Sequence, residues 1–485
     1  MIEIKNVSFR HENADEVSIH DISLIIPDGQ CVLFCGESGS GKTTLTRLIN
    51  GLIPHYYEGE MQGEVIVNGL NITKSELYET AKKVGSVFQN PRSQFFCVDT
   101  TSELAFGCEN MGMPEAEILS RIDKVTEEMK ISSLLGRNIF ELSGGEKQKI
   151  ACGSVSALYP EVMMLDEPTS NLDLNAIEEL KETVQRWKQG GKTVVIAEHR
   201  IYWLREICDR VICMQNGRIA FDMTMEEFAS LTEEKRASYG LRLLFREKEI
   251  CPVGTFNGTD FMTLHNFNFS YGKEEALHIP ELTIPVGSIV AVIGNNGAGK
   301  STFSRCLCGL EKKFKGTVTL NGETLKSKQL LKKCYMVMQD VNHQLFCETV
   351  EEEIQLGMNE ENADKVQKTL AELDLAEFAQ RHPMSLSGGQ KQRTAIASAM
   401  LADKEILLFD EPTSGLDFRH MEQTAQLLSS LKTKKTVFVV THDPELIARC
   451  CTHILRIENG RAVSFSEQEI ETIPKTDVQN DAFVV

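Results

Sequence analysis

The stretch CGESGSGKTT at residues 35–44 decides the fold of the first half of this 485-residue chain. It follows the apolar run CVLF, typical of a buried strand, and continues into GKTTLTRLINGL, which has the pattern of a helix. Two glycines separated by four residues, then a lysine and a hydroxyl residue, form a loop whose backbone N–H groups point into one hollow. Because a helix begins there, the loop favours a bound phosphate group.

The same stretch recurs as IGNNGAGKST at residues 293–302, and other motifs recur with it. LSGGEKQK at 142–149 returns as LSGGQKQR at 386–393. MMLDEPTSNLD at 163–173 returns as LLFDEPTSGLD at 407–417. The chain therefore contains two copies of one set of motifs.

The intervals between these motifs also match. Ser143 lies 23 residues before Asp166, and Ser387 lies 23 residues before Asp410. From the glutamate after each aspartate to the next shared histidine is 32 residues in the first copy and 31 in the second. Motifs repeated in one order at such intervals indicate a duplicated domain.

We therefore predict a first domain over residues 1–222, a linker over 223–258 and a second domain over 259–485. The linker contains MEEFASLTEEKRASYGLRLLFREKE, which indicates a short helix, and the turn-rich sequence CPVGTFNG. Within each domain, apolar strands such as VMMLDE and TVFVVTH alternate with helices. This alternation indicates an α/β fold with a mainly parallel sheet flanked by helices, whose ligands bind at the carboxyl ends of the strands.

The residues at these strand ends predict binding of a nucleoside triphosphate. Lys42 and Lys300 would reach the β- and γ-phosphates, and the hydroxyls of Thr43 and Ser301 would bind Mg²⁺. Phosphoryl transfer needs positioning and charge neutralisation more than covalent chemistry. One carboxylate on the metal and a second on the attacking water therefore suffice, as Asp166 with Glu167 and Asp410 with Glu411 would supply.

Composition limits the classes of partner. The formal net charge of −19 argues against a nucleic acid as the main partner. The 14 cysteines are scattered without zinc-site spacing, so we expect reduced, buried thiols. No run approaches the roughly 18 apolar residues of a membrane-spanning helix, and the N-terminus lacks the layout of a signal peptide, so we expect a cytosolic protein.

LSGGEKQK and LSGGQKQR resemble the signature sequence of the ABC ATPases, and the resemblance covers nearly the whole chain. It implies two tandem P-loop NTPase domains, the first and second cassettes, each with a helical signature subdomain. It also implies further site residues, namely the Q-loop glutamines Gln89 and Gln339, Asp173 and Asp417 in the D-loops, and the switch histidines His199 and His442.

In ABC proteins the two cassettes pair head to tail, and each ATP lies between the P-loop of one and the signature of the other. The resemblance therefore implies two composite sites, both active in hydrolysis. The first would bind ATP through Gly36, Glu37, Ser38, Gly39, Ser40, Gly41, Lys42, Thr43, Thr44 and Gln89, with Ser387, Gly388, Gly389 and Gln390. The second would use Gly294, Asn295, Asn296, Gly297, Ala298, Gly299, Lys300, Ser301, Thr302, Gln339 and Tyr271, with Ser143, Gly144, Gly145 and Glu146.

Within these sites the resemblance assigns three kinds of role. The expected catalytic residues are Glu167, Glu411, His199 and His442. The expected Mg²⁺ ligands are Thr43, Gln89, Asp166, Ser301, Gln339 and Asp410. Tyr271 occupies the position of the aromatic residue that stacks on adenine, whereas the matching position in the first copy is His11, whose ring stacks less extensively.

Three classes of ABC protein compete. They are a transporter ATPase with separate membrane subunits, a translation or ribosome factor, and a DNA-repair or chromosome-maintenance ATPase. Ribosome factors normally have a longer basic linker and tend to lack the switch histidine, and DNA-maintenance ATPases carry zinc modules or coiled coils. The short linker of mixed charge and the two histidines favour the transporter ATPase.

Among transporters, the chain resembles the fused ATPases of energy-coupling-factor importers, the cobalt- and vitamin-uptake systems. The resemblance rests on VFQNPRSQFFCVDTTSELAFGCEN at 87–110, VMQDVNHQLFCETVEEEIQLG at 337–357 and VIAEHRIYWL at 195–204. The nearest alternative within transporters is the fused ATPase of sugar importers, whose second cassette usually has altered motifs.

This resemblance implies a peripheral protein on the cytoplasmic side of the cell membrane. Its partners would be integral membrane scaffold and substrate-binding proteins, with scaffold helices docking at residues 94–103 and 344–353. There Glu348 and Glu351–Glu353 would either meet basic residues of the partner or form a solvated helix start.

Overall fold

The computed structural model of the chain describes residues 1–12, 14, 16–170, 172–244, 260–358 and 362–466. The predicted joint CPVGTFNG and the end of the second cassette after residue 466 lie outside the described residues. Within them, each half contains a four-stranded sheet and a six-stranded sheet, with helices packed against them.

The first half builds its two sheets from strands that the chain supplies in a mixed order. They are β1 (Ile2–His11), β2 (Ile19–Ile26), β3 (Cys31–Cys35), β4 (Gly59–Val67), β5 (Leu70–Asn71), β6 (Val84–Val87), β7 (Val162–Asp166), β8 (Thr193–Ala197), β9 (Arg210–Gln215) and β10 (Arg218–Thr224). The antiparallel sheet has the order β2-β1-β4-β5. The larger sheet has the order β10-β9-β3-β8-β7-β6 and is parallel except for the edge strand β10.

The second half repeats this topology. Its strands are β11 (Phe261–Tyr271), β12 (Glu274–Pro285), β13 (Ile289–Ile293), β14 (Lys315–Leu320), β15 (Glu323–Leu325), β16 (Cys334–Val337), β17 (Ile406–Asp410), β18 (Thr436–Val440), β19 (His453–Glu458) and β20 (Arg461–Ser466). The sheet orders are β12-β11-β14-β15 and β16-β17-β18-β13-β19-β20. The duplication predicted from the motifs is therefore a duplication of the fold.

Most of the helices also have a counterpart in the other half. The first half has α1 (Lys42–Ile49), α2 (Leu52–His55), α3 (Leu77–Lys83), α4 (Thr100–Asn110), α5 (Glu115–Glu128), α6 (Gly144–Ser156), α7 (Leu174–Gln189), α8 (Met225–Ser230) and α9 (Glu233–Ser238). The second half has α10 (Lys300–Leu307), α11 (Ser327–Lys333), α12 (Val350–Gln355), α13 (Ala363–Glu372), α14 (Gly388–Leu401), α15 (Phe418–Ser430) and α16 (Pro444–Cys450). Single 3₁₀ turns lie at Pro91–Ser93, Ser132–Leu134, Ile139–Glu141, Tyr202–Leu204, Val341–His343, Ala376–Phe378 and Pro383–Ser385.

The predicted α/β class is confirmed, and the reason is visible in burial. The central strands β3 and β8 are buried at every residue, as expected for parallel strands covered on both faces. The antiparallel sheet is an addition that we did not predict. In β1 buried residues are interspersed with more exposed ones, and Phe9 packs with Val32 and Leu45 in a core shared by both sheets and α1.

The predicted helical signature subdomain is also present. In the second half it comprises α12, α13 and α14, which share a hydrophobic core of their own that includes Ile354, Leu370 and Ala397. In the first half α4, α5 and α6 pack on one another within a core that continues under the central sheet. Each signature motif therefore begins a helix of this subdomain.

The described part of the linker packs onto the first half. Met225 and Phe228 of α8, together with Leu241 and Leu244 beyond α9, are buried in the core of the first half. Residues 225–244 therefore extend the first half structurally and end against the second. In the described ranges, no helix combines the length and the apolar character needed to cross a membrane.

The two halves face each other through their D-loops. A carboxylate oxygen of Asp417 accepts a hydrogen bond from the backbone N–H of Ser38 in the first P-loop, at 2.7 Å. Reciprocally, a carboxylate oxygen of Asp173 accepts one from the backbone N–H of Asn296 in the second P-loop, at 2.8 Å. These contacts relate the halves head to tail.

Each of these aspartates also caps its own helix. The other oxygen of Asp173 accepts from the backbone N–H of Ala176 at 2.9 Å, and that of Asp417 accepts from His420 at 2.9 Å. Burial alone would raise the pKa of Asp417, but hydrogen bonds from His420 and from the Ser38 amide hold it well below its usual range. The aspartate at the junction is therefore a charged acceptor, which makes both bonds stronger than neutral ones.

Replacement of Asp417 by serine separates these two roles. A serine hydroxyl still caps α15, but it is too short to reach the opposite P-loop. We expect Asp417→Ser to speed hydrogen exchange at the Ser38 amide about tenfold, because the charged acceptor is lost. The melting temperature should change little. Hydrogen exchange resolved to single amides measures this effect.

Asp173→Ser is the matched control. It should speed exchange at the Asn296 amide and leave the Ser38 amide unchanged. If either variant altered both amides equally, the two contacts would not be the separate, reciprocal bonds inferred above.

Candidate active sites

The first P-loop lies between β3 and α1. Gly36 and Gly41 have φ values of 135° and 103°, which side-chain-bearing residues rarely adopt, and a Cβ at Gly36 would lie 2.2 Å from the carbonyl oxygen of Met214. Lys42 is buried, and its Nζ donates to the carbonyl oxygens of Gly36 at 2.9 Å and Glu37 at 2.8 Å. The lysine is thus held over the loop that the sequence assigns to phosphate.

The second P-loop, between β13 and α10, has the same construction. Gly294 and Gly299 have φ values of 148° and 103°. Nζ of Lys300 donates to the carbonyl oxygens of Gly294 at 2.6 Å and Asn295 at 3.0 Å. Burial lowers the pKa of both P-loop lysines. An anion in either loop would offset that burial.

A cavity opens over each P-loop. The first has a volume of 790 Å³, and Lys42, Thr43, Glu167 and His199 line it. The second has a volume of 550 Å³, and its lining includes Lys300, Ser301, Gln339, Asp410, Glu411 and His442. The predicted phosphate, metal and catalytic residues of the second half therefore meet in one place, as most of those of the first half do.

The two cavities differ where adenine is expected. Tyr271 lines the second cavity and is half exposed. His11 is not among the described lining residues of the first cavity. Its ring instead meets those of Phe9 and Tyr57 edge-on, at centroid distances of 4.8 and 6.4 Å. Tyr271 and His11 therefore differ in their position relative to the cavity as well as in the type of ring.

Glu167 is positioned by strain and by two polar neighbours. It follows β7 with a φ of 43°, a conformation that costs energy in a residue with a side chain, and its N–H donates to Ala197 at 2.8 Å. One carboxylate oxygen accepts from Gln89 at 2.7 Å, and the other lies 3.3 Å from Nε2 of His199. The strained backbone turns the carboxylate towards the glutamine and the histidine.

Glu411 has the same backbone conformation as Glu167 but a different electrostatic environment. Its φ is 50°, its N–H donates to Val440 at 2.8 Å, and its carboxylate lies 3.8 Å from Nε2 of His442. Burial raises the pKa of Glu411 to about 7 and lowers that of His442 to about 3. Burial would also raise the pKa of Glu167, but His199 and Lys42 hold it below its ordinary value. The two sites are therefore electrostatically distinct.

The carboxylates before these glutamates fit a hard cation. Oδ1 of Asp166 is buried without a hydrogen-bond partner, and burial with the nearby Glu167 raises the pKa of Asp166 to about 7. In the second site an oxygen of Asp410 lies 3.3 Å from the Ser301 hydroxyl. Carboxylate and hydroxyl oxygens are the ligands that Mg²⁺ prefers. A divalent cation would satisfy the Asp166 oxygen and offset its buried charge.

The structure does not bring the signature motifs into the cavities. Ser143 and Ser387 begin α6 and α14, and their hydroxyls accept from the N–H groups of Glu146 and Gln390 in capping boxes. All the described residues that line each cavity belong to the half that supplies its P-loop. The described contacts across the junction come from the D-loops and from the segment after α9.

Gly415 of the second D-loop is a site residue that sequence reasoning missed. A Cβ at Gly415 would lie 3.2 Å from Nε2 of Gln89 and 3.5 Å from Oε2 of Glu167. Beside it, the Ser414 hydroxyl donates to the carbonyl oxygen of Ser170 at 2.5 Å. Its place two residues before Asp417 is the signal that could have identified it.

Known proteins resemble this chain over most of its length. The family model described as "ABC transporter" matches residues 19–170 and 277–414. A "Putative ABC transporter ATP-binding protein" of Treponema denticola is 47% identical over 472 residues, which cover 96% of each chain. A "Putative HMP/thiamine import ATP-binding protein" of Bacillus subtilis is 31% identical and covers 94% of this chain and 89% of its own.

A solved structure shares the fold of both halves. An archaeal ribosome recycling factor, in complex with a ribosomal stalk protein, aligns with a TM-score of 0.65 over 94% of this chain and 89% of its own. At 20% identity this likeness concerns the fold. The family model and the close relatives lead to one conclusion: the chain belongs to the ABC transporter family, as an ATP-binding and ATP-hydrolysing protein with two cassettes.

Proposed function

We propose that this chain is the ATPase subunit of an importer of the energy-coupling-factor class, for a vitamin, a vitamin precursor or a metal ion. It would act at the cytoplasmic face of the membrane, bound to an integral membrane scaffold that works with a substrate-binding membrane protein. The observation that carries this proposal is an exposed aromatic side chain beside each Q-loop, described below. The importer named among its relatives, for HMP or thiamine, supports the substrate class.

At each site the P-loop and its lysine bind the triphosphate. Asp166 with Thr43 and Gln89, and Asp410 with Ser301 and Gln339, would hold Mg²⁺, which would supply neutralisation of the phosphate charge. Glu167 and Glu411 accept a proton from the attacking water, and His199 and His442 orient the glutamate and the terminal phosphate. The signature of the opposite cassette completes each site when ATP draws the halves together, as the D-loop contacts already align them.

Removing the two carboxylates tests these assignments. The pair Glu167→Gln and Glu411→Gln keeps the size of the side chain but removes the proton acceptor, so ATP turnover should fall about 100-fold or more while ATP binding stays within about twofold. Steady-state hydrolysis and nucleotide titration measure both quantities. Unchanged turnover would overthrow the assignment of the base.

Each half presents one exposed phenylalanine after its Q-loop. Phe96 and Phe346 are each 75% exposed, a large apolar exposure at matching positions in the two cassettes. In the first half the ring of Phe96 stacks on that of Phe106 at a centroid distance of 4.8 Å. Phe140 is also exposed, and the N–H of the residue before it, Ile139, donates to the carbonyl oxygen of Val98 in the same loop as Phe96. An apolar helix of a membrane protein is a partner that fits such a surface.

These loops are held in shape by a buried glutamate. Glu103 accepts from the N–H groups of Phe96 at 2.9 Å and Cys97 at 2.8 Å. Glu353 accepts from those of Phe346 at 2.7 Å and Cys347 at 2.8 Å. Because the loop is already ordered, a partner would bind it without a large entropy cost.

The structure changes the role expected for Glu351–Glu353 at this interface. Glu353 is buried, Glu352 caps its own helix, and Glu351 accepts from Gln367 at 2.9 Å and Gln380 at 2.7 Å. These three carboxylates therefore all have hydrogen-bond partners within their own cassette, and the membrane partner is expected to meet the phenylalanines instead.

The double variant Phe96→Ala and Phe346→Ala tests the docking surface. Because aromatic anchors dominate interfaces, recovery of membrane proteins with the tagged chain should fall about tenfold, while ATPase activity of the isolated chain changes less than about twofold. Phe261→Ala, which truncates a half-exposed phenylalanine on β11, is the control. Undiminished recovery of the same membrane proteins would exclude this surface.

A ribosome factor remains the second candidate, because a ribosome recycling factor shares the two-cassette fold. Fractionation of cells that express the tagged chain, together with the membrane proteins that copurify with it, distinguishes the two. Our proposal requires sedimentation with membranes, and sedimentation with ribosomes would reverse it.

A further inference from the structure

A group of buried charged side chains lies where the two halves meet, beside the second switch histidine. We call it the junction cluster, and all five of its residues are buried: Glu198, Arg200, Arg242, Asp443 and Glu445. The first two flank the switch histidine of the first cassette. The third belongs to the segment after α9, and the last two lie at the start of α16.

Arg242 fastens the end of the first half to the second half. Its guanidinium donates to a carboxylate oxygen of Asp443, and its Nε lies 3.6 Å from Glu445. The backbone N–H of Leu243 donates to the same glutamate at 3.3 Å. Arg242 and Asp443 are each only 2% exposed, so water cannot replace either partner.

Asp443 links Arg242 to the second active site. It directly follows His442, and the oxygen that accepts from Arg242 also accepts from the Thr413 hydroxyl at 2.7 Å. Thr413 lies two residues after Glu411. One carboxylate therefore joins Arg242 to the loops that carry the histidine and the glutamate of the second site.

The loop that carries the switch histidine, here called the switch loop, is held differently in the first cassette. There Glu198 accepts from the Thr169 hydroxyl at 2.9 Å and from the N–H groups of His199 and Arg200 at 2.9 and 3.1 Å. All these groups belong to the first cassette. The second switch loop has the equivalent bond from Thr413 and, in addition, a partner from the linker.

The same segment touches the first P-loop. Gly240 has a φ of 68°, and a Cβ there would lie 2.3 Å from Cγ of Glu37. Residues 240–242 therefore run from the P-loop of the first site to the switch loop of the second. Arg200 adds a second positive charge near Asp443. Burial would raise the pKa of Asp443, but the two arginines outweigh burial and lower it.

We propose that Arg242 is a positioning residue for ATP hydrolysis at the second site, acting through Asp443 on the loop that carries His442. We expect the first site to depend on it less, because the hydrogen bonds to Glu198 that hold the first switch loop come from the first cassette, so the linker makes the two sites unequal. This inference rests on the roles proposed above for Glu411 and His442.

A site-resolved assay on the full chain tests it. The protein is incubated with Mg²⁺, vanadate and 8-azido-ATP and irradiated, and peptide mass spectrometry assigns the trapped label to the first or second cassette. We expect Arg242→Met to lower the second-to-first label ratio about tenfold, because loss of alignment at a reacting centre is costly. Overall kcat should fall while KM for ATP stays within about twofold, because the P-loops are untouched.

Arg236→Met is the matched control. It removes another buried arginine of the linker, whose guanidinium donates to the carbonyl oxygen of Leu231. It should lower the melting temperature and leave the label ratio unchanged. If Arg242→Met does not fold, Arg242→Lys replaces it, since lysine keeps the charge but loses the planar fork, and the ratio should then fall to an intermediate value.

Two outcomes would overturn the inference. One is an equal loss of label from both cassettes, and the other is an unchanged ratio. Glu411→Gln in the same assay separates this failure from failure of the proposed function. If Glu411→Gln abolishes trapping in the second cassette and Arg242→Met leaves the ratio intact, only the role of Arg242 is wrong. If Glu411→Gln has no effect, the assignment of the base is wrong.

Discussion

Each D-loop aspartate uses one carboxylate for two purposes. One oxygen caps the helix that follows, and the other accepts a backbone N–H from the P-loop of the opposite cassette. A charged acceptor held by its own helix cap is a rigid one, because its side chain cannot turn away without losing the cap. The position of each P-loop therefore depends on the fold of the other half. These two bonds contribute to the head-to-tail pairing, in which Gly415 approaches Gln89 and Glu167.

Identical motifs do not give identical sites. Both glutamates share the same strained backbone, yet Glu167 lies close to its histidine and ionises readily, whereas burial raises the pKa of Glu411. The cause is the set of groups around each glutamate. His199 and Lys42 hold the pKa of Glu167 below its ordinary value, whereas at Glu411 burial outweighs Arg200 and Lys300. The residues that flank the switch histidines also differ, being Glu198 and Arg200 in the first cassette and Thr441 and Asp443 in the second. A twin-cassette chain can vary these positions independently, which two copies of one cassette cannot do.

Much of the fold was predictable from particular residues. Gly36 and Gly41 require a loop that only glycine allows, and the apolar runs before Asp166 and Asp410 require buried parallel strands. Those features are local, and local patterns are what a sequence expresses directly. The acidic run Glu351–Glu353 was harder to interpret. A carboxylate that caps or braces a loop and a carboxylate that meets a partner have the same pattern, and the partners supplied by Gln367, Gln380 and the loop amides appear only in the fold.

The sequence by itself determined that the chain is a duplicated P-loop ATPase and where each strand-end carboxylate lies, and it predicts which residues meet phosphate. The sequence carries this information because the motifs depend on short spacings and on glycine conformations. Only the tertiary structure decided that Tyr271 lines its cavity while His11 does not, that the D-loops bind the opposite P-loops, and that Arg242 lies against Asp443. Arg242 and Asp443 are 201 residues apart in the chain. Their contact depends on how the halves pack, and no local pattern carries that information.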